Sequence, residues 1–156
     1  MFNCFVETEL GLFGASGDEW GLCRIYLPNE APAAAHMPSE GSLPWDFSGQ
    51  LIDYLTGKRK EWNIPFSLTG SPFQLAVWYA CKEIPYGGTC TYGQLAKMAG
   101  YSGAAQAVGR AMASNPLPLI IPCHRVLPAS GSVGRYRGGE NLKHKLLQLE
   151  GTLRTE

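Results

Sequence analysis

The chain has 156 residues, 45% of them hydrophobic, enough for one medium domain or two small ones with a sizeable core. Five cysteines (Cys4, Cys23, Cys81, Cys90, Cys123), odd in number and without C-x-x-C spacing, argue against a disulfide framework and a zinc ribbon and fit a reducing cytosol or nucleus. The zero net charge divides at Gly70: four basic against nine acidic residues up to that point (net −5) and nine against four beyond it (net +5), so a polyanion would meet the C-terminal part. The opening Met1 to Glu7 has no basic leader, and no stretch nears the roughly 18 apolar residues of a membrane span. A soluble protein with no membrane partner is expected, cytoplasmic, or nuclear in a eukaryote.

Short apolar runs over Phe2 to Thr8, Leu10 to Ala15 and Trp20 to Leu27 are punctuated by Gly11, Ser16-Gly17-Asp18 and Pro28-Asn29, the pattern of an antiparallel meander. Glu30 to Pro44, rich in Ala, Pro, Ser and Gly without periodicity, reads as a surface connection. From Trp45 to Leu55 the spacing of Phe47, Leu51, Ile52 and Leu55 predicts a helix that Gly57 closes.

After Ser71 the pattern changes to capped helices. Ser71-Pro72-Phe73-Gln74 joins an N-cap Ser, Pro at the first helical position and Gln three after the cap, and Thr91-Tyr92-Gly93-Gln94 repeats the device. Gly100 ends that second helix. Ser102 is then expected to cap a third, Gly103 to about Ser114, stopped by Asn115-Pro116. Two short helices about a tight turn make a helix-turn-helix candidate. The third helix is dominated by Ala and Gly, with only Gln106 and Arg110 long and polar. Such a face either lies close to a nucleic-acid backbone or shallow groove without reading bases, or packs against another helix.

The apolar run Leu117 to Ile121, bounded by Pro116, Pro118 and Pro122, ends at Cys123-His124-Arg125. The thiolate is the reactive form of cysteine, and a nearby His or Arg favours it. On an extended strand neighbouring side chains point apart, so Cys123 and His124 would need a turn or a bridging water to cooperate. The spacing of Leu142, Leu146 and Leu149 predicts a helix over 140–151, with Glu150 at the end where the dipole disfavours a carboxylate. That acid either orients a histidine or is a solvated surface group. Between them, Gly131, Gly134, Gly138 and Gly139 around Tyr136 form either a loop that approaches a flat ligand or an ordinary turn.

Ser-Pro-Phe-Gln at Ser71, Ile84-Pro85-Tyr86-Gly87, Tyr92-Gly93-Gln94-Leu95-Ala96, Ala107-Val108-Gly109, Asn115-Pro116, Ile121-Pro122-Cys123-His124-Arg125-Val126, Tyr136, Gly138-Gly139, Lys143 and Glu150-Gly151 occur in one order. In this order the chain resembles the O6-alkylguanine-DNA alkyltransferases, densely from Ser71 to Gly151. The resemblance implies an α+β fold: a ribonuclease-H-like N-terminal module over 1–70, then a mostly helical, winged-helix-like domain over 71–156. It implies a suicidal, cofactor-free and metal-free transfer of an alkyl group from O6 of guanine, and from O4 of thymine, to Cys123. His124, oriented by Glu150, would activate the cysteine through a water. Asn115 would brace the turn, and Tyr92 would help flip the nucleotide and protonate the leaving base. Tyr136 and Met112 would wall the pocket, and backbone at Val126, Arg137 and Gly138 would bind the base. Ala105, Ala107 and Gly109 would enter the minor groove of double-stranded DNA with little sequence specificity, with Arg110 on phosphate and the protein monomeric.

One position departs from the family: Gln106 stands where an arginine usually fills the gap left by the flipped base, and it has less reach and no charge. Three other readings compete: a lesion sensor without transfer, whose members characteristically have tryptophan in place of the cysteine; a cysteine hydrolase using Cys123 and His124; and a zinc-stabilised N-terminal module using Cys4, Cys23 and His36.

Overall fold

Alternating apolar residues at the start of the chain build a three-stranded antiparallel meander of β1 (Phe2–Thr8), β2 (Gly11–Asp18) and β3 (Gly21–Tyr26). In this computed structural model residues 1–153 are described; Arg154 and Glu156, counted in the charge asymmetry, lie outside the described residues. The second strand runs past the expected turn, because Ser16, Gly17 and Asp18 all pair with β3. Asp18 Oδ1 accepts from the backbone N–H of Trp20 at 2.8 Å and of Gly21 at 3.2 Å, which moves the reversal to Glu19-Trp20. The register shifts at Ser16/Gly17, where a Cβ on Gly17 would stand 2.5 Å from the Gly21 carbonyl oxygen.

The expected connection over 30–44 holds a helical turn, α1 (Ala31–Ala34), whose Ala31 and Ala34 are buried. Glu30 makes it: its carboxylate accepts from Leu27 N, while the Leu27 carbonyl accepts from Glu30 N and Ala31 N. Helix α2 (Phe47–Leu55) starts at Asp46, whose side chain accepts from Gly49 N. Its buried face is Phe47, Gln50, Leu51 and Tyr54, so the expected core position Ile52 is exposed. Trp62 turns the helix this way by packing on Phe47 and Tyr54 at 6.2 and 5.5 Å between ring centres. The Gln50 amide pairs with both backbone groups of Asn63.

Residues Met1–Leu68 form one compact unit and the chain from Thr69 onward a second. The second unit carries α3 (Pro72–Lys82), β4 (Cys90–Thr91), α4 (Tyr92–Met98), α5 (Ala105–Ala113), a 3-10 turn at Cys123–Arg125, β5 (Val126–Leu127) parallel to β4, and α6 (Glu140–Leu149). Both capping boxes form as their sequences predict. After α4 the backbone N–H of Gly100 reaches the Lys97 carbonyl and that of Tyr101 the Ala96 carbonyl, with Gly100 at φ +89°, a Schellman stop. The expected Ser102 cap does not form: α5 begins two residues beyond Gly103, because Gly103 sits at φ +84° and Ala104 is the N-cap without a side-chain bond. Helices α4 and α5 pack on each other, and the Trp78 indole of α3 donates to the Ala111 carbonyl at 2.9 Å. In α6 the buried set is Leu142, Lys143, Leu146 and Leu147, so the inward face carries a lysine, while Leu149 of the expected pattern is only half-buried.

Candidate active site

The segment that carries Cys123 is over-determined. Asn115, fully buried, donates its amide to the Ile121 carbonyl at 2.8 Å and accepts from Leu117 N at 2.9 Å, closing the loop between them. Within that loop Leu119 is the single described non-glycine residue in the left-handed region, at φ +78°, a conformation that costs on the order of 1–3 kcal/mol. Its burial, the Asn115 clamp and the flanking prolines hold it there. The chain then enters the 3-10 turn, with Cys123 N bonded to the Ile121 carbonyl and Arg125 N to the Pro122 carbonyl. Cys123 and His124 therefore lie in a turn rather than on an extended strand.

Behind the thiol lies a buried polar frame. His124 is fully buried, with Nε2 at 2.9 Å from Glu150 Oε2. A carboxylate only accepts, so the ring proton sits on Nε2 and Nδ1, which has no hydrogen-bond partner, keeps a free lone pair. Arg125 grips the same carboxylate in a fork, Nε to Oε1 at 2.7 Å and Nη2 to Oε2 at 2.9 Å, and donates Nη1 to the Ile84 carbonyl at 2.6 Å. Lys143, fully buried, donates Nζ to the carbonyls of Val126 at 2.8 Å and Arg135 at 3.1 Å.

Burial dominates the electrostatics. It pushes the Cys123 thiol up, against the lowering effect of the Asn115 hydrogen bond and the Arg137 and Lys143 charges. It pushes His124 down, with Glu150 pulling upward and Arg125 and Lys143 adding to the downward shift. Desolvation takes Lys143 down to about 8. Both directions favour the uncharged forms, a thiol at Cys123 and a neutral imidazole at His124.

In front of the thiol is an open cavity of about 740 Å³. Tyr92, at the start of α4, and Gln106, Gly109, Arg110 and Met112 of α5 line one side; Tyr136 and Arg137 of the glycine-punctuated loop line the other, with Cys123 between. Burial raises the Tyr92 phenol, with the Cys123 charge adding to it, so this group holds its proton. Ala105 and Ala107 lie half-buried on α5 beside the lining residues. Val126 and Gly138 are not part of the lining; Val126 is fully buried.

Residues 72–152 match the family described as 6-O-methylguanine DNA methyltransferase, DNA binding domain. The chain belongs to this family. Methylated-DNA–protein-cysteine methyltransferases are similar to it over most of both lengths: that of Mycobacterium tuberculosis is 47% identical over 93% of this chain and 89% of its own, and that of Methanosarcina acetivorans 37% over 97% and 99%. The crystal structure of M. tuberculosis OGT in complex with DNA superposes with a TM-score of 0.84 at 36% identity, covering 96% of this chain and 92% of that one. The α+β fold is that of the methyltransferase structures, as the sequence implied. Among the described residues no three His, Cys, Asp or Glu side chains cluster to hold a metal ion, so Cys4, Cys23 and His36 do not form the alternative zinc site. No helix among those residues is long and apolar enough to cross a membrane.

Sequence reasoning named many of the cavity's lining residues, but not Ala113, Pro128 or Arg135, and missed part of the frame. Arg125 was read only as a charge favouring the thiolate, Lys143 stood in the family motifs without a role, and Leu119 had no signal at all. Charged residues beside a prospective nucleophile were the available clue, but only the fold shows that both are buried and hydrogen-bonded.

Proposed function

We propose that this protein repairs DNA by direct reversal, taking the alkyl group from O6 of guanine onto Cys123 in a single turnover. The observation that carries the reading is the position of Cys123: next to a buried His124–Glu150 pair in the sequence and on the wall of a cavity bordered by a helix with a half-buried small-residue face. Methyl transfer to a cysteine of the protein is also what the names of its relatives describe, so the lesion-sensor alternative is not favoured.

The chemistry follows from the geometry. The Cys123 proton passes, through a bridging water, to Nδ1 of His124, whose Nε2–H stays on Glu150. Sulfur then attacks the alkyl carbon in line, an S–C bond forms as the C–O6 bond breaks, and the electron pair departs on the purine. Tyr92, holding its proton at the cavity wall, neutralises the purine at a ring nitrogen. The thioether is a poor leaving group, and each molecule acts once. Asn115 keeps the turn in place; Met112 and Tyr136 wall the base, and Arg137 offers backbone polar groups to it. The base leaves the duplex first, at a cost of a few kcal/mol that a weakly paired lesion lowers. Ala105, Ala107 and Gly109 allow α5 to lie in the minor groove without reading sequence, Gln106 occupies the vacated space and Arg110 meets phosphate.

Intact-mass analysis after incubation with an oligonucleotide containing O6-methylguanine tests this. One added methyl on the Cys123 peptide, never more than one equivalent, and none with Cys123→Ser is expected. Multiple turnover, or DNA binding without modification, would refute it.

A further inference from the structure

The mechanism uses one face of Glu150, its contact with His124, and leaves unexplained the stronger contact on its other side. Arg125 makes two short bonds to that carboxylate, both groups are buried, and the guanidinium is itself held by the Ile84 carbonyl and lies over the Tyr86 ring, 5.7 Å from its centre. The Tyr86 hydroxyl donates to the Leu149 carbonyl, and the Thr152 hydroxyl to that of Gly87, tying the end of α6 to the turn before β4. A buried ion pair of this kind is weak evidence for stability alone, because desolvation offsets most of its attraction.

We infer that Arg125 is a positioning residue for the transfer: by sharing the Glu150 carboxylate with His124, it keeps the imidazole uncharged and therefore able to accept the Cys123 proton. Glu150 Oε2 receives both the His124 N–H and an Arg125 N–H, so the two donors divide one negative charge. Burial is the larger force against an imidazolium and the guanidinium adds to it; were it absent, the carboxylate would stabilise the imidazolium more strongly, and a protonated His124 cannot act as base. The surrounding charges do not replace it. His124 is faced by Glu150 and Lys143 from α6 and Arg125 from its own turn. Glu150 is faced by Tyr86, and Cys123 by Cys81 of α3, Tyr92 of α4 and Arg137 of the following loop. Lys143 repels an imidazolium too, but its ammonium is committed to two carbonyls rather than to the carboxylate. Arg125 alone among these cations forms a fork with Glu150, and its planar geometry fixes both oxygens at once.

This inference rests on the proposed transfer, so its test has two readouts. In the full-length protein the rate of methyl transfer to Cys123 and the ring titration of His124 by NMR are followed against pH for the native chain, Arg125→Met and Tyr86→Leu. Removing the guanidinium raises the imidazole's affinity for protons, so the acid side of the rate profile moves to higher pH. A one-unit move slows transfer about tenfold on the acid side, whereas at pH values where both forms are deprotonated transfer does not slow, because the more basic imidazole takes the Cys123 proton at least as readily. Tyr86→Leu, which loosens the guanidinium without removing a charge, shifts both readouts in the same direction by less. A loss of rate by the same factor at every pH, with His124 titrating as in the native chain, overturns the inference. If Arg125→Met does not fold, an unshifted His124 titration in folded Tyr86→Leu overturns it equally. Absence of any methyl transfer in the native chain would instead defeat the proposed function, while the His124 titration still decides the role of Arg125.

Discussion

The two sides of Cys123 are built on opposite principles. Behind it, Asn115, His124, Arg125, Lys143 and Glu150 are all buried and bonded to one another or to backbone. In front of it, α5 offers Ala, Gly and two long polar side chains, Gln106 and Arg110, exposed at the cavity rim. A polar network out of water specifies one geometry, because each missing partner leaves a costly buried group. A surface of small side chains specifies almost nothing except a close approach. The proposed transfer would use both: a sulfur and base held in register, and a face that accepts any DNA sequence.

Substitutions on the two sides should therefore differ in kind. The largest effect is expected from Glu150→Ala, which leaves Arg125 charged and unpaired in the interior; denaturant unfolding should show a loss of about 3–5 kcal/mol. Next is Asn115→Ala, which strands the Leu117 N–H, leaves the Ile121 carbonyl with the Cys123 N–H as its remaining donor, and releases the left-handed Leu119: a loss of about 2–3 kcal/mol in the same assay is expected. Wild-type stability in either variant would break the contrast between frame and rim.

The rim predictions concern DNA rather than stability. Gln106→Arg restores charge and reach at an exposed site, and its transfer rate on duplex DNA should rise about fivefold, the worth of one charge-assisted contact of about 1 kcal/mol. Equal rates would remove Gln106 as a determinant. The smallest change is Gly109→Ala. A Cβ there meets nothing nearer than Tyr92 Cε1 at 4.0 Å, so the helix should gain about 0.5–1 kcal/mol. DNA binding should nevertheless weaken, because the added methyl stands where a backbone must approach. A more stable variant with unchanged affinity would show that the small face serves packing within the protein.

Legibility in the sequence followed the range of the interactions. The capping boxes at Ser71 and Thr91 and the stop at Gly100 were readable because every partner lies within a few residues. The reversal at Glu19-Trp20 was not, since Asp18 was read as part of the turn whereas it pairs in the strand and caps the turn beyond it. Ile52 was placed inside because its spacing allowed it, until Trp62 chose the Tyr54 side of the helix.

For the site, the sequence by itself singled out the proposed nucleophile, its neighbouring histidine, the distant acid and the small-residue helix, since motif order and residue type suffice to name them. Only the tertiary structure decided which charges are buried and whom they serve. Arg125 reaches Glu150 and Ile84 across 25 and 41 residues, and Lys143 reaches Val126 across 17. Nothing local marks such residues as interior. Desolvation, which sets the protonation of Cys123, His124 and Lys143, is a property of everything packed around a group and so comes into being only with the fold.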